Sequence, residues 1–238
     1  MAYELSRRFM NAFIGIEQEL RSIANTKNHR PFYTLVNMSA KRNALVHDIS
    51  DELKEYADLR NVIVHERRNN EPIAEPHREI VERLERILEL LQKPPTVGEQ
   101  FIGSVVTCTP EDTVASAATA MYEQSFSKIP VYEDQVFHGL LTAEGITHWL
   151  GHRLQEDTCS LAETTVNSVL EYSASSHSFA FVSRNCPVFR AIDLFEEASH
   201  EGRRLQAVLI TEDGERNQKP IGIITVFDLP QVYRLIHG

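Results

Sequence analysis

The sequence predicts an α+β protein, with an all-α helical bundle at the N-terminus followed by a pair of mixed α/β repeats. Three observations predict it. Up to Gln92 the apolar residues recur at spacings of three and four, the mark of amphipathic helices. Two adjacent prolines, Pro94 and Pro95, then end that pattern, because proline cannot continue a helix. Beyond them short β-branched runs alternate with helical stretches, and the same order of elements occurs twice, as in an internal repeat of two similar units.

Residues 3–24 carry Phe9, Phe13, Ile16, Leu20 and Ile23 as one apolar stripe. Pro31 suits the first turn of a second helix. Phe32 to Glu66 contains neither Gly nor Pro, and Leu45, Ile49, Leu53, Tyr56, Leu59 and Ile63 repeat the helical spacing. This stretch fits one long helix or two joined near Asp48–Asp51. Asn69-Asn70-Glu71-Pro72 makes a turn. A last helix follows Pro76, with Ile80, Leu84, Ile87, Leu88 and Leu91 inward. Residues 1–92 therefore read as helix throughout, a bundle of three or four, and 93–96 as a short stiff hinge.

The repeats fill 97–238, with a first half at 97–152 and a second at 161–238. In the first, Val105-Val106-Thr107, Lys128–Val131 and Phe137–Leu141 read as strands. Asp112 to Gln124 reads as a helix with Val114, Ala117, Ala118, Met121 and Tyr122 on its apolar side. In the second, Phe179–Ser183, Leu205–Thr211 and Pro220–Ile224 read as strands, Val188–Ser199 as a helix, and Thr225 as the start of another. Glu212 to Asn217 makes a longer hairpin turn than its counterpart.

Charge is unevenly spread. Of 24 basic and 34 acidic residues, 15 of each fall in residues 1–95, which leaves 9 basic and 19 acidic after them. The repeats thus carry the whole net charge of −10 and should repel bulk nucleic acid, whereas the neutral N-terminal part tolerates it. No apolar run reaches the roughly 18 residues of a membrane span. Asn11, Glu17, Gln18 and Glu19 interrupt what a signal peptide would keep apolar, so a cytoplasmic chain with no membrane partner is expected. Cys108, Cys159 and Cys186 are far apart with no Cys-x-x-Cys spacing, which argues against zinc or redox chemistry.

The repeat motifs are Thr109-Pro110-Glu111-Asp112-Thr113-Val114, Ile129-Pro130-Val131 and Gly139-Leu140-Leu141-Thr142 in the first copy. The second has Cys186-Pro187-Val188, Gln206-Ala207-Val208 and Gly222-Ile223-Ile224-Thr225-Val226-Phe227-Asp228. In these motifs and their order, residues 97–238 resemble the tandem CBS-domain pair, or Bateman module. The resemblance implies two halves packed sheet against sheet, two clefts between them, and an adenine nucleotide (AMP, ADP, ATP or a relative) as ligand. Thr225 and Asp228 sit where a strand gives way to a helix. There the Thr hydroxyl and free N–H groups favour phosphate, while the Asp carboxylate can accept from both ribose hydroxyls. Val208 would offer backbone edges and an apolar wall to a base, and Arg203 or Arg204 could reach a phosphate. Thr-x-x-Asp is also an ordinary helix-capping signature, and the two roles are compatible. The first copy has Thr142-Ala143-Glu144-Gly145, with Gly145 at the ribose-binding position, so its cleft is expected to be empty or altered in preference.

In the N-terminal part, Arg60-Asn61-Val62-Ile63-Val64-His65 resembles the signature of HEPN domains. That resemblance implies a small helical bundle that pairs two-fold as a homodimer and cleaves RNA without metal. Asn61 and His65 are four apart and share a helix face. His can move a proton near neutral pH, and Arg can hold a phosphate. Arg42-Asn43-Ala44-Leu45-Val46-His47 has the same form 18 residues earlier, in phase on a continuous helix; the later copy is preferred because it ends a helix before the turn. Ion pairing of Arg60 with Asp58 or Glu66, and a helix-terminal role for His65, explain the segment equally well in structural terms. Three functions thus remain open: a nucleotide-gated ribonuclease, a non-catalytic sensor that docks on a partner protein, and a structural dimer with degenerate clefts.

Overall fold

The computed structural model describes residues 3–65, 67–68, 71–72, 75–155, 160–173 and 178–237. They form two compact units. One joins the chain up to Pro95 with Pro187–Asp193 and the chain from Pro230 onward. The other holds Thr96–Cys186 and Leu194–Leu229.

The helical unit begins with α1 (Glu4–Ile23), whose Phe9, Ala12, Phe13, Ile16 and Leu20 are buried. α2 spans Phe32–Ser39, with Pro31 at its N-cap. The stretch without Gly or Pro does not make one helix. The Asn43 side chain accepts a hydrogen bond from Val46 N at 3.0 Å and starts a short α3 (Ala44–Asp48). α4 (Ser50–His65) follows, with Asp51 and Glu52 in its first turn, where acidic groups favour a helix start. The Arg42 and Arg60 segments therefore lie on different helices, and their five-turn phasing has no structural meaning. The helical pattern is also interrupted by a two-strand ladder, β1 (Arg67–Arg68) against β2 (Glu71–Pro72). α5 (Arg78–Gln92) buries Val81, Leu84, Ile87 and Leu90, a face rotated slightly from the stripe expected from sequence. It lies close to α1, where a Cβ on Gly15 would come within 2.8 Å of Leu88 Cδ2.

Near the start of α4 lies a half-buried ion pair. Arg83 donates Nε to Glu52 Oε1 at 2.8 Å and Nη2 to Oε2 at 2.9 Å, and the Tyr56 hydroxyl donates to Oε1 at 2.6 Å. Burial works to raise the Glu52 carboxyl, but hydrogen bonds from Arg83 and Tyr56, with the charges of Arg83 and His237, outweigh it and hold it below its usual range. A depressed carboxyl contributes stability above its unfolded value, near 4.3, and loses it as pH falls through the folded value. Thermal melting of Glu52→Gln should accordingly lose less on acidification from pH 7 to well below pH 4 than the natural chain; parallel losses over that range would contradict the assignment.

The α/β unit opens with α6 (Val97–Gln100), closed by a capping box in which Thr96 Oγ1 accepts from Glu99 N and Glu99 Oε2 accepts from Thr96 N at 2.8 Å. Residues 105–107 are not a strand; only Cys108 bridges to Val131. α7 (Val114–Gln124) follows the Thr113 cap. β3 (Lys128–Glu133) and β4 (Val136–Thr142) pair antiparallel, and α8 (Ala143–Leu154) and α9 (Asn167–Leu170) complete this half. In the other half, β5 (Phe179–Ser183) runs parallel to β6 (Ala207–Thr211), which is antiparallel to β7 (Gly222–Ile224). α10 (Phe189–His200) intervenes, and a 3-10 turn at Val226–Asp228 leads into α11 (Leu229–His237).

The two sheets face each other. Tyr132, Phe137 and Leu140 of the first pack with Ala207, Leu209 and Phe181 of the second. Behind the first sheet, Val114, Met121, Trp149, Val166 and Val169 form a further core. Tyr122, expected on the apolar side of α7, is instead 85% exposed. Val114, Ala117 and Met121 already fill the inward stripe, and Tyr122 falls about 100° further round the helix.

Candidate functional site

The end of β7 sets the geometry. Thr225 is extended, and the chain tightens at once into the 3-10 turn. Asp228 Oδ2 accepts from Thr225 N at 2.7 Å and from Thr225 Oγ1 at 2.9 Å, while Thr225 Oγ1 accepts from Phe227 N at 3.3 Å. The pair thus caps its own turn, and one carboxylate oxygen is committed to it. Thr225 and Asp228 line a cavity of about 730 Å³, within the range of small-molecule sites.

The opposite wall comes from the first half: Ser104, Tyr122, Ser127 and Lys128. α7 ends at Ser125 with a left-handed backbone, φ 56°, and this sharp stop places Ser127 and Lys128 at the cavity. Burial, then the Arg204 charge, lowers the Lys128 ammonium, against the opposing pull of Glu144 and Asp228. Phe227, 82% exposed, completes the wall beside Asp228.

The expected site residues do not all gather here. Val208 has a fully buried side chain and sits in the middle strand, paired to Ala180 on one side and Ile224 on the other. Arg203 hydrogen-bonds Glu201, with Nε at 2.7 Å from Oε2. Arg204 faces Glu144 at 3.4 Å. Neither arginine lines the cavity. Sequence reasoning missed Lys128, Tyr122 and Phe227. Lys128 was legible only as a strand residue, although a lysine opening a strand directly after a helix stop was the available signal.

The equivalent place in the first half is smaller, about 150 Å³, and includes Thr142, Glu144, Gly145 and Ser173. Thr142 caps α8 by accepting from Gly145 N at 2.9 Å. A Cβ on Gly145 would lie 2.1 Å from Ser173 Oγ and 2.6 Å from Ser173 Cα, so no side chain fits there.

In the helical unit, Arg60 Nη1 donates to Asn61 Oδ1 at 3.3 Å, and Asn61 is exposed. Asp58 accepts from the Tyr33 hydroxyl at 2.7 Å. His65 is the last residue of α4; its side chain and Glu66 lie outside the described residues. Of the earlier copy, Arg42 donates to Ala24 O at 3.2 Å and Asn43 is spent as a cap. Among the described residues no cluster of His, Cys, Asp or Glu could hold a metal ion, and no helix is long and apolar enough to cross a membrane.

The CBS domain family model matches residues 101–152 and 169–232. No curated protein matches the chain in sequence. Among solved structures, CBSX2 in complex with AMP is 18% identical, the match covering 60% of this chain and 98% of that one, with a TM-score of 0.45. The CBS domain pair of protein MJ0100 in complex with 5′-methylthioadenosine and S-adenosyl-L-methionine is 14% identical over 59% and 97%, with a TM-score of 0.44. A CBS-domain containing protein from Agrobacterium tumefaciens is 14% identical over 58% and 94%, at 0.41. With two matched segments, each containing a strand pair and its following helix, this chain carries a tandem pair of CBS domains.

Proposed function

We propose that the CBS pair is a regulatory sensor that binds AMP, ADP, ATP or a related adenine nucleotide at Thr225 and Asp228. The observation that carries this is their convergence on the 730 Å³ cavity, with Lys128 on the facing wall. Asp228 uses Oδ2 for its own turn, which leaves Oδ1 to accept from a ribose hydroxyl. Lys128 supplies a cation for phosphate in a part of the chain that is otherwise acidic. Tyr122 and Phe227 present exposed aromatic surface at the cavity, suited to an adenine ring. Calorimetric titration of the full chain with AMP, ADP and ATP tests the reading, and binding of none of them would end it.

For the helical unit we propose a HEPN-like role: two-fold pairing of two chains and metal-independent cleavage of RNA by Arg60, Asn61 and His65. The observation favouring this segment over Arg42–His47 is that Asn43 is occupied as a helix cap, while Asn61 is exposed and touches Arg60. The 2′-hydroxyl of the RNA would attack the adjacent phosphorus, its proton passing to a base, as the 5′-oxygen leaves and a cyclic phosphate forms. Cleavage of labelled RNA in EDTA should be abolished by His65→Ala and kept by His47→Ala, and light scattering should return twice the chain mass. If no RNA is cut by the natural chain, a helical unit that docks non-catalytically on a partner protein becomes the better reading.

A further inference from the structure

The last helix of the CBS pair belongs to the helical unit. α11 begins at Leu229, the residue after Asp228. Its Val232 and Ile236 are fully buried. At its far end Arg83 of α5 donates Nη1 to Ile236 O at 2.5 Å, and His237 Nε2 meets Asp48 Oδ2 at 2.8 Å. Arg83 is itself gripped on both of its other nitrogens by Glu52 of α4. Asp48 closes α3, the helix whose first N–H, on Ala44, is taken by Asp193 Oδ1 at 2.7 Å. One arginine therefore joins the end of α11 to the start of α4, and α4 ends at His65, about 20 Å further along at 1.5 Å per residue.

We infer that α11 carries the state of the Thr225/Asp228 site into the helical unit, with Arg83 as the positioning residue that hands it to α4. This rests on the nucleotide reading above. A ribose hydroxyl held on Asp228 Oδ1 steadies the carboxylate whose Oδ2 caps the turn directly ahead of α11, and a rigid two-turn helix passes a change at its first residue to its last carbonyl. The Arg83 fork admits one geometry at a time, since its planar guanidinium holds Glu52 through two parallel bonds. A change in the Ile236 carbonyl must therefore be met by α4 or break the fork. The Pro94–Pro95 joint is not needed for this route.

Amide hydrogen exchange on the full chain tests it. AMP should slow exchange in α4 about ten-fold in the natural protein, a typical size for coupling between sites. Arg83→Met should bind AMP within about three-fold of the natural affinity yet lose the response in α4; Asp48→Asn with His237→Gln should weaken it. Without nucleotide, Asp228→Ala should speed α4 exchange in the natural background and leave it unchanged in Arg83→Met, since distant sites without coupling behave additively. If Arg83→Met does not fold, Arg83→Lys, which keeps the charge and loses the fork, replaces it. An α4 response equal in all backgrounds overturns the route through α11. If AMP does not bind the natural chain, the nucleotide reading fails by itself, and the ligand-free comparison still decides the route.

Discussion

Asp228→Ala is expected to weaken AMP binding on the order of 30- to 150-fold. The carboxylate is a charged acceptor, and losing hydrogen bonds to a charged group costs about 2–3 kcal/mol, which at about 1.4 kcal/mol per decade gives that range. The same change removes the acceptor for both Thr225 N and Thr225 Oγ1, so a fall in stability of about 1 kcal/mol, the usual size for a lost cap, accompanies it. The two effects separate experimentally: calorimetry reads affinity on folded protein, and melting without ligand reads the cap. Asp228→Asn retains one carbonyl oxygen for the Thr225 N–H but presents N–H donors where ribose hydroxyls need an acceptor. It should stay near the natural melting temperature while losing most of the affinity. Natural affinity in Asp228→Ala would remove Asp228 from the site.

The second large effect is expected at the other cleft, where the sequence invites a repair that the structure forbids. Gly145 stands where the second copy has Asp228, so Gly145→Asp looks like the restoration of a ribose contact. Its Cβ would come within 2.1 Å of Ser173 Oγ and 2.6 Å of Ser173 Cα. A hydroxyl can rotate away, but a backbone carbon cannot. Overpacking against a fixed chain costs about 3 kcal/mol or more, and the melting temperature should fall by about 6–12 °C in a chain of this size. AMP stoichiometry should not rise. Ser173→Gly removes the closer of the two contacts and leaves the other, so the double variant should recover only part of the loss. A melting temperature within 2 °C of the natural protein, at about 0.5 kcal/mol, would mean that Ser173 moves freely and the first cleft is open to repair.

Much of the fold was legible because its signals are local. Helix and strand periods, the Thr225 position before a helix, and the repeated order of elements all lie within a few residues of where they act. Local pattern failed where a short polar side chain outbid the hydrophobic stripe. Leu45, Ile49 and Leu53 are all buried, as a single helix would have them, yet the Asn43 cap starts α3 afresh after α2, and the chain breaks again at Ile49, inside the Asp48–Asp51 joint that the sequence offered as its alternative. It failed also at Val105-Val106-Thr107, whose β-branched composition suits a strand that finds no ladder beyond the Cys108 bridge.

The site divides along the same line. The sequence by itself determined the α+β class and the two CBS copies, and it placed Thr225, Asp228 and Gly145 at fixed offsets from their strand ends. Only the tertiary structure decided which cation faces that pair. Lys128 lines the cavity, while Arg204 is drawn to Glu144, far away in the sequence. It also moved Tyr122 outward, sealed Val208 into the middle of a sheet, and tied α11 to Arg83 and Asp48. The physical reason is range. Caps and periods are settled by neighbours in the chain, whereas the partner of a long charged side chain depends on which carboxylate or carbonyl the fold brings within about 3 Å, and residues far apart in sequence leave no local trace of that choice.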